Sequence, residues 1–243
     1  MLGPIAQSSG FWGPVTSTVD WCEANYQVTP YVAELWNTLS SLALVGAGLF
    51  GALGRHARDG RVRAAFGLLA VVGMGSIAFH TSLRFELQML DELPMLYLVT
   101  LIVFILAEPG PPRRFGPWFP IVLVAADAVL TLLSAGSRGP AQFWIFQVAF
   151  GSLEFWSLGR TAVLYWRSKS VERRRLFRFG MTAYLAGIAV WFVDLRFCAP
   201  LVTWLTAHGL PNPQFHAWWH VLVAGGFYAL LTFIAREQRA SVP

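Results

Sequence analysis

The chain has 243 residues, 56% of them hydrophobic and only 13% charged, where an ordinary soluble domain carries roughly 25% charged residues. That much apolar surface excludes a soluble globular domain, and the length allows at most about eight to ten bilayer crossings joined by short loops. The net charge of +5 does not point to a nucleic-acid partner, because the basic residues sit in short loops between apolar runs and report membrane orientation instead.

In chain order, Met1 to Gly10 lacks the basic start and compact apolar core of a secretory signal, so no cleaved signal peptide is expected and the first span does the targeting. Residues 1–34 read as an outer segment. It holds Asp20, Glu23, Asn25 and Glu34, with no Lys or Arg before Arg55. Hard oxygen ligands at that density suit Ca²⁺, although the spacing is not an EF-hand loop and solvated loop acids are the competing reading. Apolar stretches then recur at Leu35 to Leu53, Ala64 to His80, Leu87 to Leu106, Trp118 to Leu133, Phe143 to Tyr165, Phe179 to Cys198 and Phe215 to Ala235. Seven spans is the simplest count, and turn-rich breaks at 108–112 and 135–140 keep neighbours from running together. The reading is an all-α membrane protein, a seven-transmembrane helix bundle over residues 35–236 with a short tail at 237–243. No repeat, low-complexity segment or alternating strand pattern suggests a barrel.

Loop charges give the orientation. Arg55, Arg58, Arg61, Arg63, Arg113, Arg114, Arg167, Lys169, Arg173, Arg174, Arg175, Arg178, Arg236 and Arg239 fall on one side, and only Arg84, Arg138 and Arg196 on the other, with Arg160 inside a span. Fourteen against three places the N-terminus in a lumen or outside and the C-terminus in the cytosol.

The chemistry gathers at the outer ends of the spans. His216 and His220, in Phe215-His216-Ala217-Trp218-Trp219-His220, are four apart and share one helix face. Such a pair is also what two interfacial histidines among tryptophans would look like. His80 closes the second span on the same side, in Gly75-Ser76-Ile77-Ala78-Phe79-His80. Three neutral imidazoles would leave one tetrahedral position of Zn²⁺ open, the arrangement of a catalytic site. Asp91 begins the third span there, either as a carboxylate that orients water and takes its proton or as a helix-start acid favoured by the dipole. Ser76 lies one turn before His80, where its hydroxyl can reach the site or bond its own backbone. Cys22 and Cys198 both fall on the outer side, where a lumenal compartment permits a disulfide and two free thiols are the alternative. Asp194 reads as support for the site, while Asp127 and Glu154 have no assigned role; His56 and His208 are loop residues with nothing to distinguish them.

Phe11-Trp12-Gly13-Pro14, Thr18 to Tyr26 and Ala33 to Thr38 resemble the opening of alkaline ceramidases. Gly75 to Leu83, Gln88 to Met95, and His216 to His220 are similar to that family's central and last signatures, so the resemblance spans nearly the whole chain. It implies the seven-helix fold shared with the adiponectin receptors, Zn²⁺ on His80, His216 and His220, water activation by Asp91 and assistance by Ser76. It also implies a regulatory Ca²⁺ site from Asp20, Glu23, Asn25, Glu34 and the backbone carbonyl of Trp21, and a Cys22–Cys198 disulfide. Leu195 and Arg196 depart from the family, which more often has polar uncharged residues beside Asp194.

The function expected is zinc-dependent, calcium-modulated hydrolysis of ceramide, a lipid of the sphingolipid pathway, to a sphingoid base and a fatty acid. The resemblance implies an endomembrane, endoplasmic reticulum or Golgi; the tail shows no retrieval motif. One rival is a zinc-containing receptor of the adiponectin-receptor type signalling through the basic loop from Arg167 to Arg178. Another is a metal transporter, which would want ligands near the bilayer midplane rather than crowded at one end.

Overall fold

A computed structural model describes residues 10–54, 59–110 and 112–240. The expectations for Met1 to Ser9, Arg55, His56, Arg58 and the last three residues of the tail lie outside the described residues. Helices follow in chain order as α1 (Leu35–Ser40), α2 (Leu42–Leu53), α3 (Gly60–Ser82), α4 (Phe85–Ala107), α5 (Phe119–Gly136), α6 (Gly139–Arg167), α7 (Val171–Ala207) and α8 (Phe215–Ala240). α1 and α2 meet at Ser41, whose φ of −61° and ψ of −21° are themselves helical. They therefore count as one span, Leu35–Leu53, and no strand forms among the described residues.

Six of these helices are long and apolar enough to cross a bilayer: Leu35–Leu53, α3, α4, α5, α7 and α8. Lipid contact is what their surfaces require. α5 exposes Ile121, Val122, Val124, Val129 and Leu132, a face that water would penalise heavily. The remaining expected span is α6, whose 29 residues are long enough but include Gln142, Gln147, Glu154 and Arg160. Two of these explain the mixed composition, because Gln142 and Glu154 are buried and hydrogen-bonded inside the bundle. α7 runs 37 residues, well beyond the expected Phe179 to Cys198, so it rises past the apolar run at both ends.

Local chemistry sets the helix ends. Asp59 caps α3 by accepting the Arg61 N–H at 2.8 Å, and Ser170 caps α7 through the Arg173 N–H, the usual means of satisfying donors that have no intrahelical partner. α3 stops where Leu83 turns left-handed, at φ 51°, and α4 begins two residues later. This tight reversal lays α3 against α4 closely enough that a Cβ on Gly75 would sit 1.9 Å from the Leu90 carbonyl oxygen. Gly48 makes the same kind of approach to Ala70 on α3, as small residues do where helices pack in lipid. α7 and α8 form the other closely packed pair, and the core runs between these layers through Phe66, Leu69, Ile105, Phe227 and Phe233.

Residues 10–34 are not helical, and they fold over the end of α3. Ala33 and Glu34 donate their N–H groups to the carbonyls of Thr81 and His80, each at 2.9 Å, and Thr16 and Ser17 donate to Leu83. The terminal carbonyls of α3 thus find donors outside the helix. A disulfide joins Cys22 to Cys198 on α7, with Cα atoms 5.3 Å apart.

Candidate metal centre

His80 lies in the last turn of α3, and His216 and His220 in the first turns of α8. The four-residue spacing puts the latter two on one face, and the packing of α3 brings His80 against them. One ring nitrogen from each of the three lies within 4.8 Å of the others, and all three residues are buried.

Each imidazole is held from behind. His80 Nδ1 lies 2.5 Å from Glu34 Oε2, with both side chains fully buried, and its Nε2 is buried without a partner. His220 Nδ1 lies 2.8 Å from Ser40 Oγ and 3.3 Å from Ser41 Oγ, which leaves its Nε2 facing inward, 3.4 Å from Ser76 Oγ. The His216 ring stacks on Trp21 at 3.7 Å, and its Nδ1 is buried without a partner. Buried ring nitrogens without partners are costly unless something occupies the space between them. Imidazoles whose other nitrogen is engaged by a carboxylate or hydroxyl are the usual metal ligands. His80 and His220 are of that kind and His216 is placed by its stack on Trp21, and together the three can hold a metal ion with one position left open.

His216 and His220 border a cavity of about 380 Å³ whose lining also includes Ser76 and Asp91. Its walls are mostly apolar and aromatic, as in a pocket for a hydrocarbon chain. Ser76 Oγ lies 2.9 Å from Ser41 Oγ. Asp91 is half-buried and makes no hydrogen bond to another described residue. Its neighbour Glu92 is clamped instead, accepting from Gln88 Nε2 at 2.8 Å and Gln142 Nε2 at 2.5 Å. Both adjacent carboxyls border the cavity, but Glu92 is bound into the scaffold and Asp91 is not.

The acidic residues before α1 share one folded segment but are already engaged. Asn25 Nδ2 donates to both Asp20 oxygens, at 3.1 and 3.2 Å. Glu23 accepts the N–H groups of Trp36 and Asn37 at 2.7 and 2.9 Å, satisfying the first turn of α1. Glu34 Oε1 accepts the Trp21 N–H at 3.1 Å. Burial lifts the Glu23 carboxyl to about 7 against the opposing backbone donors. Burial first, then the nearby Asp20 charge, pushes Glu34 well above the usual carboxylate range. Burial also raises Asp20, with Asn25 opposing. Among the described His, Cys, Asp and Glu residues, the three histidines alone bring three ligand atoms within 4.8 Å of one another.

A family model described as Ceramidase matches residues 13–240. The chain belongs to the ceramidase family. It is 35% identical to alkaline ceramidase 3 of Mus musculus, over 96% of this chain and 88% of that protein. It is 31% identical to the alkaline ceramidase of Arabidopsis thaliana, over 93% and 86%, and 28% identical to alkaline ceramidase YPC1 of Saccharomyces cerevisiae, over 93% and 78%.

Several groups that build this ceramidase-family site escape a reading of the sequence alone. The link from Glu34 to His80 is one, and the hydroxyls of Ser40 and Ser41 behind His220 are another. Their only signal is polarity at the start of an otherwise apolar span. Trp21 enters through its ring stacked on His216. Asp194 accepts the N–H groups of Cys22 at 3.0 Å and His216 at 3.3 Å, linking the N-terminal segment and the start of α8 to α7. Elsewhere, Asp127 accepts from Thr100, and His208 Nδ1 rests on the Trp204 carbonyl.

Proposed function

We propose that this protein hydrolyses the amide bond of ceramide, giving a sphingoid base and a free fatty acid, with Zn²⁺ held by His80, His216 and His220. The observation that carries the reading is a cluster of three buried histidines, two of which border an apolar cavity, with Ser76 near His220 and Asp91 in the wall of the same cavity. The family's named ceramidases supply the substrate class. Bound there, Zn²⁺ would polarise the amide carbonyl and lower the pKa of water to about 7.

The chain's own residues do the rest. Asp91, unengaged and facing the cavity, accepts a proton from the attacking water and passes it to the amide nitrogen as the carbon–nitrogen bond breaks. Ser76 donates to the carbonyl oxygen as negative charge builds there, and one such donor is worth about 3 kcal/mol of barrier. Glu34, Ser40 and Ser41 fix the ring orientations. The cavity takes the hydrocarbon chain, and a receptor would have no use for a water-activating carboxyl beside it.

The N-terminal segment faces a lumen in this reading and the tail the cytosol, which follows from the loop charges. The disulfide favours an oxidising compartment on that side, consistent with an endoplasmic reticulum or Golgi membrane. Asp20, Glu23, Asn25, Glu34 and the Trp21 carbonyl form a regulatory Ca²⁺ site whose filling steadies Glu34 behind His80. Supporting this, the carboxyls of Asp20, Glu23 and Glu34 sit in one small segment, and no described Lys or Arg forms an ion pair with any of them. To test the reading, purified protein is incubated with a panel of ceramides, with and without Ca²⁺, and released sphingoid base and bound metal are quantified by mass spectrometry. Zinc-loaded protein that releases nothing from any ceramide overturns it.

A further inference from the structure

Deep in the cavity wall, Tyr184 on α7 donates its hydroxyl to Glu154 Oε1 on α6 at 2.7 Å. The two residues are 2% and 6% exposed, and both line the cavity below the histidines. They also border a second void of about 20 Å³ that continues toward Ser157 and Thr161, so the pair forms a polar floor between two apolar spaces. Tyr184 is firmly placed: its backbone packs on Gly226, where an added Cβ would meet the Tyr184 Cβ at 3.1 Å. Gly226 lies six residues past His220 on α8, which is about 9 Å along the helix.

A carboxyl group here is expensive, and its local bonding is incomplete. The phenol engages one oxygen, while the other makes no hydrogen bond to a described residue. No described Lys or Arg pairs with it, and Arg160 on the same helix packs over the Trp156 ring. Tying α6 to α7 would account for the phenol bond but not for an open acceptor on a cavity wall. In apolar pockets the few polar groups present are the ones that select the ligand.

We propose that Glu154 is a specificity-determining residue that accepts a hydrogen bond from a hydroxyl carried on the hydrocarbon chain of the substrate, at mid-chain rather than beside the amide. This rests on the ceramide-hydrolase reading and deepens it. The distance from the histidines sets the position of the hydroxyl, and Tyr184 holds the carboxyl so that its open oxygen meets the chain. A plain acyl chain leaves that oxygen desolvated and unpaired, which is how a hydrogen-bonding pocket rejects an analogue lacking the group.

The test uses metal-loaded full-length protein and three ceramides of equal chain length: unsubstituted, hydroxylated beside the amide carbonyl, and hydroxylated at mid-chain. Competition assays give ratios of kcat/KM. The expected result is a preference of about tenfold for the mid-chain hydroxyl, the worth of one good hydrogen bond. Glu154→Val collapses that ratio, and Glu154→Gln keeps part of it because an amide oxygen still accepts. Tyr184→Phe, which frees the carboxyl to turn, lowers the preference without abolishing it and also lowers the melting temperature. Bound metal and melting temperature are measured for each variant, and should Glu154→Val fail to fold, the partial loss in Glu154→Gln decides. A wild-type enzyme that turns over all three ceramides equally, or a ratio unchanged in the Glu154 variants, overturns the inference and leaves the pair as a structural tie or a water site. Failure to release base from any ceramide would instead sink the hydrolase reading.

Discussion

Replacing Glu34 with glutamine separates its two tasks. Its Oε1 accepts the Trp21 N–H at 3.1 Å and its Oε2 lies 2.5 Å from His80 Nδ1, in a spot sealed from solvent. Glutamine can still accept from Trp21 with its amide oxygen, so the segment stays folded. The amide NH₂ then points at His80 Nδ1, and two donors cannot face each other. His80 must move its proton to Nε2, the atom that a metal needs bare. Loss of such a partner costs 10- to 100-fold in metal affinity, or about 1.4 to 2.7 kcal/mol. Glu34→Ala should lose as much and also destabilise the metal-free protein by about 1 to 3 kcal/mol, because the Trp21 N–H is left buried and unpaired. The assay is competition against a chromophoric zinc chelator in Ca²⁺-free buffer, with melting temperatures of the metal-free forms alongside. Wild-type zinc affinity for Glu34→Gln under those conditions would refute the argument and confine Glu34 to the Ca²⁺ site.

Three other outcomes follow from the same geometry. Ser40→Ala combined with Ser41→Ala removes both hydroxyls from His220 Nδ1 and should weaken zinc about tenfold; unchanged affinity by the same chelator assay would show that packing alone orients the ring. Gly75→Ala places a methyl group 1.9 Å from the Leu90 carbonyl oxygen, so α3 and α4 must part, at about 1 to 3 kcal/mol. Since Ser76 and Asp91 adjoin that contact, turnover should fall further than the melting temperature implies, and a variant with full turnover would disprove the contact. The pH prediction rests on Glu23, whose carboxyl stands at about 7 when folded against 4.5 as an ordinary glutamate. Between those values the native state binds more protons than the unfolded chain, so stability falls as pH rises through the window. Glu34 and Asp20 are shifted in the same direction. Melting of the metal-free protein between about pH 4.5 and 7 should therefore drop, and a rise would contradict the burial of these groups.

Much of the fold is legible in the sequence because a span announces itself by an unbroken apolar run, as α3, α4 and α8 do. α6 is the instructive exception. Its Gln142 and Glu154 dilute the apolar signal, yet each finds a partner inside the bundle, Glu92 and Tyr184 respectively. Composition cannot distinguish a polar residue that faces a partner from one that breaks a span. The histidine cluster was legible for a different reason: an i, i+4 pair is local, and His80 ends a helix on the same side. Glu34 was not legible as the partner of His80. It is separated from it by 46 residues and stands in an acidic segment, where a cation site absorbs every carboxylate without asking which of them is taken. Ser40 and Ser41 look like ordinary hydroxyls at the start of an apolar span until His220, 180 and 179 residues away, is packed against them.

The same distinction explains why the non-helical segment belongs to the site instead of merely covering it. A ligand in the last turn of a helix has carbonyls around it that the helix cannot satisfy. His80 stands in such a turn, and donors for its end of α3 come from Ala33 and Glu34, while Thr16 and Ser17 serve Leu83. Having been brought there to cap the helix, Glu34 is placed to hold the His80 ring, and Trp21, anchored by Glu34, is placed to stack on His216. Cys22 then bonds Asp194, which in turn accepts the His216 N–H. The helices alone would bring three imidazoles near one another with free ring orientations. It is the capping segment that fixes them, so changes in residues 16–34 should act on metal affinity before they act on the helical bundle.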